Sequence, residues 1–122
     1  MTSIFEDYGE YIKNIPILIE KYRGEMGCYA SFTGFVRNYH LKNGRRISTD
    51  GMTIEVNNLI DILSEIRENT LKKFEVLDVI IYHNSGSLKV GDILSSYYVF
   101  ARHRQEAFLA MEYIIDEIKK YH

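Results

Sequence analysis

Hydrophobic positions along this chain switch between a period near two and a period near 3.6, and the switches outline the order α-β-β-α-β-β-α. Asn14-Ile15-Pro16 reads as a helix start, with Pro16 at a first-turn position that needs no amide donor, and Gly24 closes the segment Ile17 to Arg23. From Met26 to Val36, Cys28, Ala30 and Phe32 alternate with Tyr29, Ser31 and Thr33, as in a strand. Gly34 predicts a bulge or a close backbone approach late in that strand, and Arg37 follows at its carboxyl end. Asn38 to Gly51, with Asn43-Gly44, Arg45-Arg46 and Asp50-Gly51, reads as a polar, turn-rich loop between two strands.

Met52, Ile54 and Val56 alternate with Thr53 and Glu55 as a short strand, and Asn57-Asn58 offers caps for a following helix. Leu59, Ile62, Leu63, Ile66 and Thr70 recur at helical spacing up to Lys73 and give one apolar stripe, which predicts a helix packed on a sheet. Val76 to His83 is rich in β-branched residues, Asn84 to Ser87 reads as a turn, and Gly91-Asp92 precedes a strand from Ile93 to Phe100. Ala107, Phe108, Met111, Ile114, Ile115 and Ile118 mark a helix from Gln105 to Lys120, with lysines at the end its dipole favours. These elements predict a single α+β domain over residues 1–122, with helices packed on a largely antiparallel sheet.

Length and composition agree with one domain of ordinary core size: 122 residues, 46% hydrophobic, without a break in composition. A net charge of -2 supplies no global field for nucleic acid or an anionic membrane, so an anion site has to be local. A nucleic-acid-binding domain using Arg45-Arg46 and exposed tyrosines gains little from this balance, and no aromatic-basic recognition string supports it. The one cysteine, Cys28, has no internal disulfide partner, and the sequence shows neither a secretory leader nor an apolar run of about 18 residues. A cytoplasmic protein without a membrane segment is expected.

There are no metal-type cysteine pairs, no phosphate-binding glycine loop and no nucleophile elbow, and no cofactor is expected. Cations at element ends stand out instead: Arg37 after the first long strand, His103-Arg104 before the last helix, and Lys119-Lys120 at its end. Taken singly, each has a plain structural reading. An exposed arginine is ordinarily an ion-pair partner, a histidine before a helix a cap, and a terminal lysine a dipole partner. His40 and His83 read as structural or solvated.

Read together, three strings change this picture: Gly34-Phe-Val-Arg37-Asn38, His83-Asn-Ser-Gly-Ser-Leu-Lys-Val-Gly91-Asp92 and Ala101-Arg-His103-Arg104-Gln-Glu-Ala107-Phe108. In this order and spacing they resemble the large subunit of molybdopterin synthase, from about Gly27 to Lys120. The resemblance implies that family's α/β-hammerhead-like fold. It also implies a sulfurtransferase that takes sulfur from the Gly-Gly thiocarboxylate tail of a small ubiquitin-like sulfur-carrier subunit. Two transfers to cyclic pyranopterin monophosphate form the dithiolene of molybdopterin. On the matching positions, Arg37, His103 and Arg104 would bind substrate, and Lys119 would stand beside the thiocarboxylate. The residue types suit the task, since forked guanidinium groups match phosphate and a fixed cation stabilises the negative charge of the transfer.

Helix geometry adds an expectation of its own. At about 1.5 Å per residue, His103 and Lys119 lie about 24 Å apart along one helix, too far for one small pocket in one chain. A two-fold homodimer would bring one chain's Arg37 and Lys119 to the other's His103 and Arg104. The family carries such a dimer within a heterotetramer. The sequence departs from the family after Lys119-Lys120-Tyr121-His122, where the P-x-W-K-K-E-like segment with a second lysine has no counterpart. Lys120 is the auxiliary candidate for that role. The departure also opens a second reading, a relative that binds the ubiquitin-like tail without transferring sulfur.

Overall fold

The two most continuously apolar stretches of the chain lie side by side at the centre of a sheet, in a computed structural model that describes residues 3–121. In chain order the elements are β1 (Ile4–Phe5), α1 (Tyr8–Lys21), β2 (Cys28–Phe35), β3 (Tyr39–Lys42), β4 (Arg45–Ser48) and β5 (Gly51–Ile54). They continue with α2 (Leu59–Lys73), β6 (Asp78–His83), β7 (Gly86–Lys89), β8 (Ile93–Ala101) and α3 (Arg104–Lys119). The main sheet has the order β1-β6-β8-β2. β8 runs antiparallel to both β6 and β2, and β1 is parallel to β6. The α+β class and the largely antiparallel sheet therefore stand as the sequence predicts.

Both faces of this sheet are covered, which is why β6 is buried at every position instead of alternating. On one face, Tyr11 and Leu18 of α1 pack with Phe5, Ile80, Tyr82 and Phe100. On the other, Leu63 and Ile66 of α2 and Ala107, Ala110, Met111, Ile114 and Ile118 of α3 close over Val79, Ile81, Tyr97, Val99 and Ala101. Burying aliphatic side chains of this size contributes roughly 1.5–3 kcal/mol each. Asp78 is buried yet fully engaged: Arg67 donates to it at 2.7 Å, Tyr22 at 3.1 Å and the Val79 amide at 2.8 Å. A buried carboxylate is tolerable only with such partners.

Four local expectations are corrected. The first helix starts at Tyr8, nine residues before Ile17, because the Asp7 side chain accepts the Glu10 amide at 2.9 Å and caps it. Pro16 then lies inside the helix. Asn58 sits at the cap position of α2 in the left-handed region, φ 59°, and its side chain makes no capping bond. The stretch Asn38 to Gly51 contains a hairpin, β3 with β4, turning at Asn43 (φ 51°) and Gly44 (φ 77°). The expected turn at Asn84 to Ser87 is shorter, since Gly86 and Ser87 already belong to β7 and pair with β5.

Candidate functional site

The position of Arg37 is set by backbone bonds from a distant loop. The register of β2 against β8 shifts between Gly34 and Phe35, the bulge that Gly34 predicts. Val36 then turns inward beside Ile54 and Leu88. Its amide donates to the Asp92 carbonyl at 2.9 Å, and its carbonyl accepts the Gly91 amide at 2.8 Å. Gly91 holds φ 90°, a conformation that a side chain would strain, and the Asp92 carboxylate accepts the Lys89 amide at 2.8 Å. The Leu88 and Gly91-Asp92 part of the second motif thus works as a clamp on the residue before Arg37.

Beyond that clamp lies a cleft of about 680 Å³ whose lining includes Phe32, Arg37, Tyr39, His40, Tyr97, Ile115 and Lys119. Ile115 and Lys119 come from the last turns of α3, one turn apart on one face. Among the described residues, no Asp or Glu lines this cleft. Phe32 stacks on Tyr97, with ring centroids 5.9 Å apart and 11° between planes. Burial pushes the Tyr97 phenol up to about 12, against the opposing effect of its bond with Ser95 at 2.6 Å, so Tyr97 is neutral near pH 7. The guanidinium carbons of Arg37 and Arg46 lie 5.0 and 4.2 Å from the centre of the Tyr39 ring.

At the other end of α3, His103 and Arg104 line a separate, shallower depression with Gly27, Cys28, Arg102 and Gln105. A Cβ on Gly27 would meet the Arg102 carbonyl oxygen at 2.1 Å, so only glycine lets β2 start this close to the helix. His103 occupies the cap position, but its side chain caps nothing and is exposed. Arg102 is paired with Glu25 at 2.9 Å. Among the described residues, Arg37, Arg46, His103, Arg104 and Lys119 form no salt bridge. Lys120, in contrast, holds Glu117 one turn back, which raises its pKa, and it is absent from the cleft lining.

The structure therefore joins Arg37 to Lys119, keeps His103 and Arg104 apart from them, and turns Lys120 outward to an ion pair. Sequence reasoning did not single out Tyr39, read His40 as structural or solvated, and weighed Arg46 only for nucleic-acid binding. The available signal was Asn43-Gly44, which marks a tight hairpin whose strands bring Tyr39 and His40 to the cleft and Arg46 over the Tyr39 ring.

The chain and its fold have matches among known proteins. The family model described as MoaE protein matches residues 11–121. The chain belongs to the MoaE protein family. It is 46% identical over 119 residues to an uncharacterised protein of Methanocaldococcus jannaschii, covering 98% of this chain and 99% of that one. It is 36% identical over 94 residues to the molybdopterin synthase catalytic subunit of Pyrococcus abyssi, covering 77% of this chain and 62% of that protein. Among solved structures, molybdopterin synthase from Staphylococcus aureus matches with a TM-score of 0.67 at 29% identity, over 82% of this chain and 75% of the other. The fold also matches, with a TM-score of 0.67 at 16% identity over 96% of this chain and 76% of that one, a complex of subunits 1 and 2 of the molybdopterin-converting factor of Helicobacter pylori. The chain thus spans less than two thirds of the length of the Pyrococcus abyssi catalytic subunit it matches. No described helix is long and apolar enough to cross a membrane.

Proposed function

We propose that this MoaE chain acts as one domain that transfers sulfur from the thiocarboxylated tail of a small ubiquitin-like subunit to cyclic pyranopterin monophosphate. Each transfer forms a carbon–sulfur bond to the pterin side chain in place of a carbon–oxygen bond, whose oxygen leaves as water or with the opened phosphate ester, and breaks the acyl carbon–sulfur bond of the tail, with water supplying the oxygen of the carboxylate left behind. The observation that carries this reading is the acid-free cleft that holds Arg37 and Lys119 over apolar walls. Lys119, placed beside the thiocarboxylate, offsets the negative charge of the transfer, and Arg37 holds the substrate phosphate. The stacked Phe32 and Tyr97 rings offer a flat apolar wall to the pterin.

His103 and Arg104 serve the same reaction from the second chain of a homodimer, because α3 separates them from Lys119 by about 24 Å. A Helicobacter pylori structure that shares this fold is a complex of subunits 1 and 2 of the molybdopterin-converting factor, and a small subunit is the partner proposed for this chain. The setting is cytoplasmic, where Cys28 stays a thiol. Lys120 contributes as an auxiliary cation at the rim once Glu117 releases it. The test mixes the protein with thiocarboxylated small subunit and cyclic pyranopterin monophosphate and follows molybdopterin as its oxidised fluorescent derivative. Product from the wild type that is lost with Arg37→Ala supports the assignment. Tight small-subunit binding without product overturns it in favour of a tail-binding relative.

A further inference from the structure

Among the described residues, the hairpin β3–β4 pairs with no other strand, and every residue of β4 is exposed, as are His40, Leu41 and Lys42 of β3. Such a ribbon gains little from burial, and an isolated two-stranded hairpin is at best marginally stable in water. Its attachment at the base is visible: the Thr49 amide donates to the Asn38 carbonyl at 2.9 Å, immediately after Arg37. The register places Leu41 opposite Arg46 and Lys42 opposite Arg45. Neighbouring residues on a strand point to opposite faces, so Arg46 shares the Tyr39 face and Arg45 the other. The consequence is that Arg46, nine positions along the chain from Arg37, comes to the same tyrosine ring, 4.2 Å from its centre against 5.0 Å for Arg37.

Two guanidinium groups gathered on one ring repel each other, and the ring's quadrupole compensates only part of that. Among the described residues, neither has a carboxylate partner to complete the compensation. An anion bridging the two would supply it, with forked donors from both sides and no acid in the cleft lining to compete.

We infer that Arg46 is a second phosphate-binding residue, which stands on the β3–β4 hairpin outside the cleft lining, over the Tyr39 ring that lines it, and shares with Arg37 and Tyr39 the grip on a planar, phosphate-bearing substrate. This rests on the sulfur-transfer reading for the identity of the substrate, but the anion grip itself can be tested without turnover. The hairpin gains a partner when the anion arrives, so binding also orders an element that packs on little else.

The probe is phenyl phosphate, a flat ring with a phosphate group, titrated into the isotope-labelled full chain while the Arg46 side-chain Nε–H and the Tyr39 amide are followed by NMR. Both signals should move together, and Arg46→Ala should weaken binding about tenfold, with Arg46→Lys in between because the ammonium keeps charge but loses the fork. Arg45→Ala, on the other face of the hairpin, should leave the affinity unchanged. Unchanged affinity in Arg46→Ala, or an equal loss in Arg45→Ala, would overturn the inference, the latter by showing diffuse charge alone. The two readings fail separately: Arg46-dependent phosphate binding without molybdopterin formation sinks sulfur transfer and keeps the grip. Molybdopterin formation with Arg46-independent phosphate binding does the reverse.

Discussion

The two ends of α3 offer a comparison within one element. The carboxyl end delivers Ile115 and Lys119 into a deeper, aromatic-walled cleft with Arg37. The amino end presents His103 and Arg104 on a shallow surface with neither an apolar wall nor a carboxylate partner among the described residues. Both ends carry cations, yet only one has the surroundings to enclose a ligand. The difference teaches that the shelf is half of something: its side chains become useful when another surface covers them, whereas the cleft already has walls.

The largest effect expected is in the cleft. Lys119→Ala should lower turnover about 10²–10³-fold, the scale of removing one fixed charge-stabilising group, while small-subunit binding persists. Near-normal turnover would remove Lys119 from the reaction. The comparison becomes sharper by mixing Lys119→Ala with Arg104→Ala protein. If each site takes the cleft from one chain and the shelf from the other, half the dimers are mixed and one of their two sites is intact, so about a quarter of wild-type activity returns. No recovery in exchanged dimers would place both ends in separate roles.

A change between the ends should separate folding from chemistry. Ile114→Ala removes a fully buried side chain facing the sheet and should cost about 2–5 kcal/mol in denaturant unfolding, with both ends affected alike. A loss confined to cleft binding, with unfolding unchanged, would contradict the spacer role of the helix.

Acid should act on the cleft end first. His83 lies opposite Ser95, which lines the cleft, and burial lowers its pKa, while the Nδ1–H donates to the Asn84 carbonyl at 2.6 Å. The unfolded histidine then binds a proton that the folded one refuses, so stability rises with pH through this window and is lost as pH falls below about 6.5. His83→Gln should flatten that slope in pH-dependent unfolding; an unchanged slope would clear His83. The smallest effect is expected at Lys120, whose partner is Glu117: Lys120→Ala should leave turnover within about twofold. A larger fall would restore it as a reacting lysine.

Most of the framework could be read from the chain because its stripes are periodic and buried: α2, α3, β6 and β8 fall within a few residues of their expected limits. Arg37 and Lys119 were legible from strings at element ends. The hairpin was not, since a ribbon with both faces in water has no reason to alternate apolar and polar residues, and alternation is what marks a strand. Tyr39 and Arg46 were lost with it, because their meeting depends on the register of Asn43-Gly44 and not on their own spacing. The start of α1 was missed for a different reason: Pro16 drew attention from Asp7, whose cap is the stronger physical signal.

β2 and α3 run in the same direction, from Gly27 and His103 at one end to Arg37 and Lys119 at the other. An eight-residue strand and a sixteen-residue helix both span roughly 25 Å, at about 3.3 and 1.5 Å per residue. The pair behaves as a gauge with two rails of equal length. Side chains on either rail can be exchanged with local consequences, but a single residue inserted into one would rotate or slide its far end relative to the other. Length changes in this fold should therefore collect in the hairpin and the short turns, where no distance is being kept.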